Sequence, residues 1–109
     1  MIRSEYYTLS NGVQIPRLGL GTWFIENANA AQVVRDAVEL GYRHVDTAQA
    51  YENEAGVGLG VRSCGLSREQ LFVTTKLAAE IKTYDEAVKA IEGSLNAMQL
   101  DYIDLMLIH

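Results

Sequence analysis

The sequence predicts an α/β fold on a parallel sheet, and three observations carry that reading. Short apolar or β-branched runs alternate four times with segments of helical periodicity along 109 residues. The repeat is roughly 30 residues, the length of a βα unit with its loop. The last runs are apolar almost throughout, as strands covered by helices are. A composition of 49% hydrophobic and 21% charged residues agrees with one globular domain over 1–109.

Each element has a local reason. Tyr6-Tyr7-Thr8-Leu9 and Val13-Gln14-Ile15-Pro16 flank Ser10-Asn11-Gly12, and the Asn-Gly pair predicts an N-terminal β-hairpin. Leu18-Gly19-Leu20-Gly21 is a short strand leading into Thr22-Trp23. Asn29 precedes Ala30, Val33, Val34, Ala37 and Val38, which have helical spacing, and Gly41 is the expected stop. Tyr42–Asp46 predicts a brief strand. Glu52–Arg62 reads as a weak helix loosened by Gly56, Gly58 and Gly60, and Leu71–Lys76 as a β-branched strand. The strongest helix follows, with Thr83 and Glu86 as a capping-box pair and Val88, Ile91, Leu95 and Met98 on one face. Tyr102–Ile108 predicts a final strand buried over nearly its whole length, and His109 follows it. Four βα units make either a small open sheet or half of an eight-fold (β/α) barrel.

Charge and composition exclude several functions. With 9 Lys+Arg against 14 Asp+Glu, the net charge of −5 gives no electrostatic attraction to nucleic acid or anionic membrane. No run approaches the roughly 18 apolar residues of a membrane span. The single Cys64 cannot form an internal disulfide, so the expectation is a soluble chain in a reducing, cytoplasmic setting. The two histidines, His44 and His109, are far apart, and no paired cysteines accompany them, so no metal motif is present. Gly19-Leu20-Gly21 lacks a third glycine and Gly56-Val57-Gly58-Leu59-Gly60 does not directly follow a strand, so neither is a dinucleotide fingerprint.

The polar residues that matter stand at strand ends. Asp46, Lys76 and His109 each close an apolar strand on its C-terminal side, with Tyr51 just beyond Asp46. In parallel α/β folds, chemistry gathers at that edge. Singly, each has a plainer reading: Asp46 as a loop cap, Lys76 as a solvated strand end, Tyr51 as packing, His109 as a polar stop. Four such accidents on one rim are a poorer account than a site. His44, at the start of its strand, points to the opposite rim and reads as structural.

A phenol, with an ordinary pKa near ~10, is a poor proton donor at neutral pH, but a neighbouring ammonium stabilises its phenolate. Lys76 beside Tyr51 then makes a usable acid. Asp46 would anchor Lys76, and His109 would hydrogen-bond a substrate oxygen as charge develops there. The chemistry is carbonyl polarisation with proton delivery, and its hydride has to come from a nicotinamide.

At these positions the chain closely resembles the aldo-keto reductases. The resemblance runs through Gly19-Leu20-Gly21-Thr22-Trp23, His44-Val45-Asp46-Thr47-Ala48-Gln49-Ala50-Tyr51-Glu52-Asn53-Glu54, Phe72-Val73-Thr74-Thr75-Lys76-Leu77 and Leu100-Asp101-Tyr102-Ile103-Asp104-Leu105-Met106-Leu107-Ile108-His109. It implies a TIM-type (β/α)₈ barrel, here about four units, that reduces aldehydes and ketones with NADPH. It further implies a tetrad of Asp46, Tyr51, Lys76 and His109, a cofactor lying near Gly21, Thr22 and Asp46, and Trp23 walling the substrate pocket. On burial alone, Trp23 could equally be a core or hairpin-plug aromatic. Ala78 stands where similar members commonly carry an aromatic, so the resemblance implies no particular carbonyl substrate. Segments that grip the nucleotide phosphates in this family lie largely beyond the position of His109. A second expectation follows from the half-barrel itself: unpaired edge strands and an uncovered apolar face would let a 109-residue chain act as a self-associating or partner-binding module.

Overall fold

A computed structural model describes residues 1–109. Gly12, at φ +86°, adopts the left-handed conformation that side chains disfavour and reverses the chain between β1 (Tyr6–Thr8) and β2 (Gln14–Pro16). The two strands pair antiparallel as the expected hairpin, and Leu9 N–H bonds the Val13 carbonyl across the loop.

The rest is a run of βα units: β3 (Gly19–Gly21), α1 (Asn27–Glu39), β4 (His44–Asp46), α2 (Glu54–Ser63), β5 (Phe72–Leu77), α3 (Tyr84–Met98) and β6 (Leu105–Ile108). The four strands are parallel and stand in the sheet in sequence order, so each helix returns the chain to the adjacent strand. Strand periodicity separates the two faces. Val45 and Val73, in register and fully buried, pack with Ala30, Val34, Val38, Val57, Val61 and Met98 from the helices. The alternate residues His44, Asp46, Phe72, Thr74 and Lys76 therefore share the other face.

Several expectations shift. α1 begins at Asn27 rather than after Asn29: extended Glu26 is the N-cap and its carbonyl already accepts from Asn29 N–H at 2.9 Å, while Asn27 Oδ1 accepts from Gly56 N–H at 2.7 Å. β4 starts at His44, since Tyr42 N–H is still bound to the Ala37 carbonyl at the end of α1. α2 starts at Glu54, after a 3₁₀ turn over Gln49–Tyr51 and a left-handed Glu52 at φ +58°. β5 lies one residue further along than expected. β6 starts at Leu105, because the Asp104 carboxylate takes the Val73 N–H at 2.8 Å.

Two corrections are larger. Within residues 1–109 β6 is not buried along its length: Leu107 is 40% and Ile108 87% exposed, and β6 pairs with β5 alone. The glycines of α2 do not loosen it. A Cβ at Gly56 would strike the Asn27 carbonyl, one at Gly58 the backbone of Met98, and one at Gly60 the Val34 side chain. They are the seam along which α2 approaches α1 and α3. Gly41, at φ +105°, does end α1 as expected.

Candidate active site

Parallel strands in register bring their C-terminal ends to one rim, so Asp46 at the end of β4 and Lys76 near the end of β5 become neighbours on the same face. The Lys76 ammonium donates to Asp46 Oδ2 at 2.7 Å, to the Thr47 carbonyl at 3.0 Å and to Tyr51 Oη at 3.2 Å. Its three hydrogens thus have three acceptors. The Lys76 and Asp46 side chains are 13% and 31% exposed, so the pair is partly withdrawn from water yet reachable from the rim. Lys76 Nζ also lies 4.8 Å from the Tyr51 ring centre. His109 follows β6, with its ring edge-on to Tyr51 at 6.0 Å between centroids. The structure brings all four expected residues together.

Gly21 pairs with Asp46 across the ladder, and the space where its Cβ would stand is open. Thr22 is fully buried, and both its N–H (3.1 Å) and its hydroxyl (2.9 Å) donate to the Asp46 carbonyl. Trp23 is not a core or hairpin-plug aromatic. It is 65% exposed and stacks on Phe24 at 4.2 Å, because the Thr22–Ile25 turn carries both rings outward.

The opposite rim is different in kind. His44 Nε2 meets Thr74 Oγ1 at 2.9 Å and its ring packs edge-on against Phe72. Burial holds its pKa below the ordinary 6.5, outweighing the backbone of Pro16 and the Asp46 and Asp104 charges that raise it. It therefore serves as a neutral structural ring. A hollow of about 770 Å³ also lies at this end, lined by Tyr6, Pro16, Arg43, Phe72 and Asp104 among others, away from the lysine cluster. Cys64 is a free, half-buried thiol bonded to the Val61 carbonyl.

Gln49, Asn53 and Glu54 stand in the motif around Tyr51 but receive no role from the sequence, and the structure supplies one. Gln49 donates to the Ala90 carbonyl and to Ser94 Oγ, both at 3.0 Å, and accepts from Ala78 N–H at 2.9 Å, pinning the turn that carries Tyr51 to α3 and to the end of β5. Glu54 accepts from Thr75 at 2.6 Å and from Ser94 at 3.2 Å. Asn53 is fully buried and bonded on both sides of its carboxamide. All three lie within eight residues of Asp46, and their polar character in a loop leaving a strand was the available signal.

Comparison with known proteins bears on this arrangement. The model of the aldo/keto reductase family matches residues 17–109. Glyoxal reductase from Bacillus subtilis is 48% identical over 102 residues, covering 93% of this chain and 37% of that protein. The crystal structure of an aldo/keto reductase from Brucella melitensis superposes with a TM-score of 0.93 at 43% identity, covering 96% of this chain and 40% of that one. A Bombyx mori aldo-keto reductase, solved in complex with NADP, gives a TM-score of 0.91 at 41% identity, with 96% and 38% covered. The chain thus spans little more than a third of the length of the curated relatives it matches.

Proposed function

The chain belongs to the aldo/keto reductase family, and from that premise we propose that the protein reduces aldehydes and ketones to alcohols with NADPH, Tyr51 giving the proton. The observation that carries the reading is the Lys76 ammonium held between Asp46 Oδ2 and Tyr51 Oη at the C-terminal rim. NADPH, when bound, supplies the hydride. The fit of such a group rests on Gly21: with no side chain and open space above it, the strand leaves a flat backbone surface beside Asp46 for a planar ring. Gly21 and Asp46 would hold it, and Thr22 would fix Asp46 from behind through the Asp46 carbonyl.

In this reading Tyr51 Oη donates its proton to the substrate oxygen as negative charge develops there, and Lys76 stabilises the phenolate left behind. Asp46 keeps the ammonium aimed at the phenol. His109, edge-on to Tyr51, offers a second donor to the same oxygen. Trp23 walls the substrate side of the rim.

Glyoxal, the substrate in the name of the Bacillus subtilis relative, is the first carbonyl to test. The protein is expected to consume NADPH when glyoxal or another aldehyde is added, followed by nucleotide absorbance. Tyr51→Phe is expected to lower kcat by about 10²–10⁴-fold, the usual contribution of a positioned acid. A folded Tyr51→Phe protein of undiminished activity would remove Tyr51 from the role.

A further inference from the structure

Asn53 lies two residues beyond Tyr51, at the start of α2, and has no exposed surface. Its carboxamide is fully engaged in two directions. Nδ2 donates to the carbonyls of Thr22 at 2.8 Å and Ile25 at 2.9 Å, and Oδ1 accepts from Thr47 Oγ1 at 2.6 Å. Two carbonyls on one side and a hydroxyl on the other fix which end is nitrogen.

Two of these three partners, Thr22 and Thr47, touch the rim by another atom. Thr22 holds the Asp46 carbonyl with two donors, and the Thr47 carbonyl accepts from Lys76. Thr22 and Ile25 are also the first and last residues of a turn closed by Ile25 N–H on the Thr22 carbonyl, and Phe24 stands in it at φ +66°. That conformation strains a bulky side chain, and glycine is the usual occupant. The two Asn53 bonds grip the turn at both ends, while Trp23 and Phe24 stack above it.

We infer that Asn53 is a positioning residue: its carboxamide ties the turn that presents Trp23 and Phe24 to the loop whose carbonyl holds Lys76, so that the aromatic wall and the proton-donating pair keep one mutual geometry. This rests on the reductase reading and extends it to a group that touches neither substrate nor cofactor. The two ends act separately. The Oδ1 end, through Thr47, governs the placement of Lys76 beside Tyr51, and the Nδ2 end governs the aromatic wall. A small misplacement of reacting groups costs rate steeply, so the first end belongs to kcat and the second to the binding of the carbonyl compound.

The test uses the whole protein with NADPH and 4-nitrobenzaldehyde as probe. Thr47→Val removes only the hydroxyl that Asn53 accepts from, and kcat is expected to fall about 10-fold with KM for the aldehyde little changed. Asn53→Asp keeps that acceptor and loses both donors, so KM is expected to rise several-fold more than kcat falls. Asn53→Asp is also expected to lower the fluorescence anisotropy of the sole tryptophan, Trp23, because the turn that carries it loses both anchors, whereas Thr47→Val leaves the anisotropy unchanged. Folding is checked by circular dichroism for every variant. The same kcat and KM changes in both variants, or an unchanged anisotropy in Asn53→Asp, overturn the inference while wild-type activity stands. A wild-type protein that reduces no aldehyde overturns the reductase reading itself, and the inference falls with it.

Discussion

Helix α2 has three glycines in its ten residues and buries five positions, whereas α3, fifteen residues long with a side-chain cap and a regular apolar row, buries only Ser94 and Met98. α2 stands between two neighbours. Gly56 and Gly60, one turn apart, meet α1 at Asn27, Ala30, Ala31 and Val34, while Gly58 on the other side meets the backbone of Met98. Each glycine costs the isolated helix about 1 kcal/mol relative to alanine. What it returns is backbone-to-backbone approach, with Val57 and Val61 pressed into the core at 0% and 2% exposure. In α3 the order is reversed. Thr83 accepts from Glu86 N–H at 3.2 Å and the helix is well formed locally, yet Val88 is 37% exposed and Ile91 and Leu95 only half-buried. Local helix strength and tertiary anchoring are thus carried by different residues, and in this chain by different helices.

The sharpest way to break that contrast is at Met98, which belongs to α3 by sequence and to the α2 seam by packing. It is fully buried, and Met98→Ala is expected to cost about 2–5 kcal/mol, read from the shift of a urea unfolding curve. A cost below ~1 kcal/mol would show that the seam relaxes around the cavity and is not the anchor described. Gly58→Ala comes next. Propensity alone predicts a gain of about 1 kcal/mol, but the added methyl would fall on the Met98 backbone, which cannot swing aside as a side-chain tip could. The expected outcome is a net loss of about 1–3 kcal/mol. Stabilisation by Gly58→Ala would mean that α2 is set by propensity after all.

These two residues also mark where the sequence could and could not be read. α3 was legible because its signals are local: a threonine, a glutamate three residues on, and apolar residues at three and four. The rim was legible because parallel topology fixes where strand ends go, and Asp46, Lys76 and His109 needed only that; Tyr51, in the 3₁₀ turn Gln49–Tyr51, also depends on the Gln49 contacts that hold the turn. The purpose of Gly56, Gly58 and Gly60 was not, since the clash each avoids is with a residue far along the chain, and no window around the glycines contains it. Asn53 stood in the motif around Tyr51, but its role was not legible for the same reason: two of its partners, Thr22 and Ile25, belong to the loop after β3.

Two substitutions in α3 probe the other side of the contrast with smaller effects. Thr83→Ala removes the cap acceptor for Glu86 N–H and is expected to cost about 1 kcal/mol, with fraying of the first turn visible as faster amide exchange there. Gly93→Ala is the smallest change and the most discriminating. Gly93 lies in the interior of α3 and is exposed, and an added Cβ would meet no atom within 4 Å. With no neighbour to strike, only the backbone term remains, and alanine there should stabilise the protein by about 0.5–1 kcal/mol. The same exchange, glycine to alanine inside a helix, is therefore expected to carry opposite signs at Gly58 and Gly93, measured on the same unfolding axis. If both stabilise, the glycine seam has no packing role; if both destabilise, α3 is held more closely than its exposed face indicates, and its surroundings rather than its own cap and spacing set its stability.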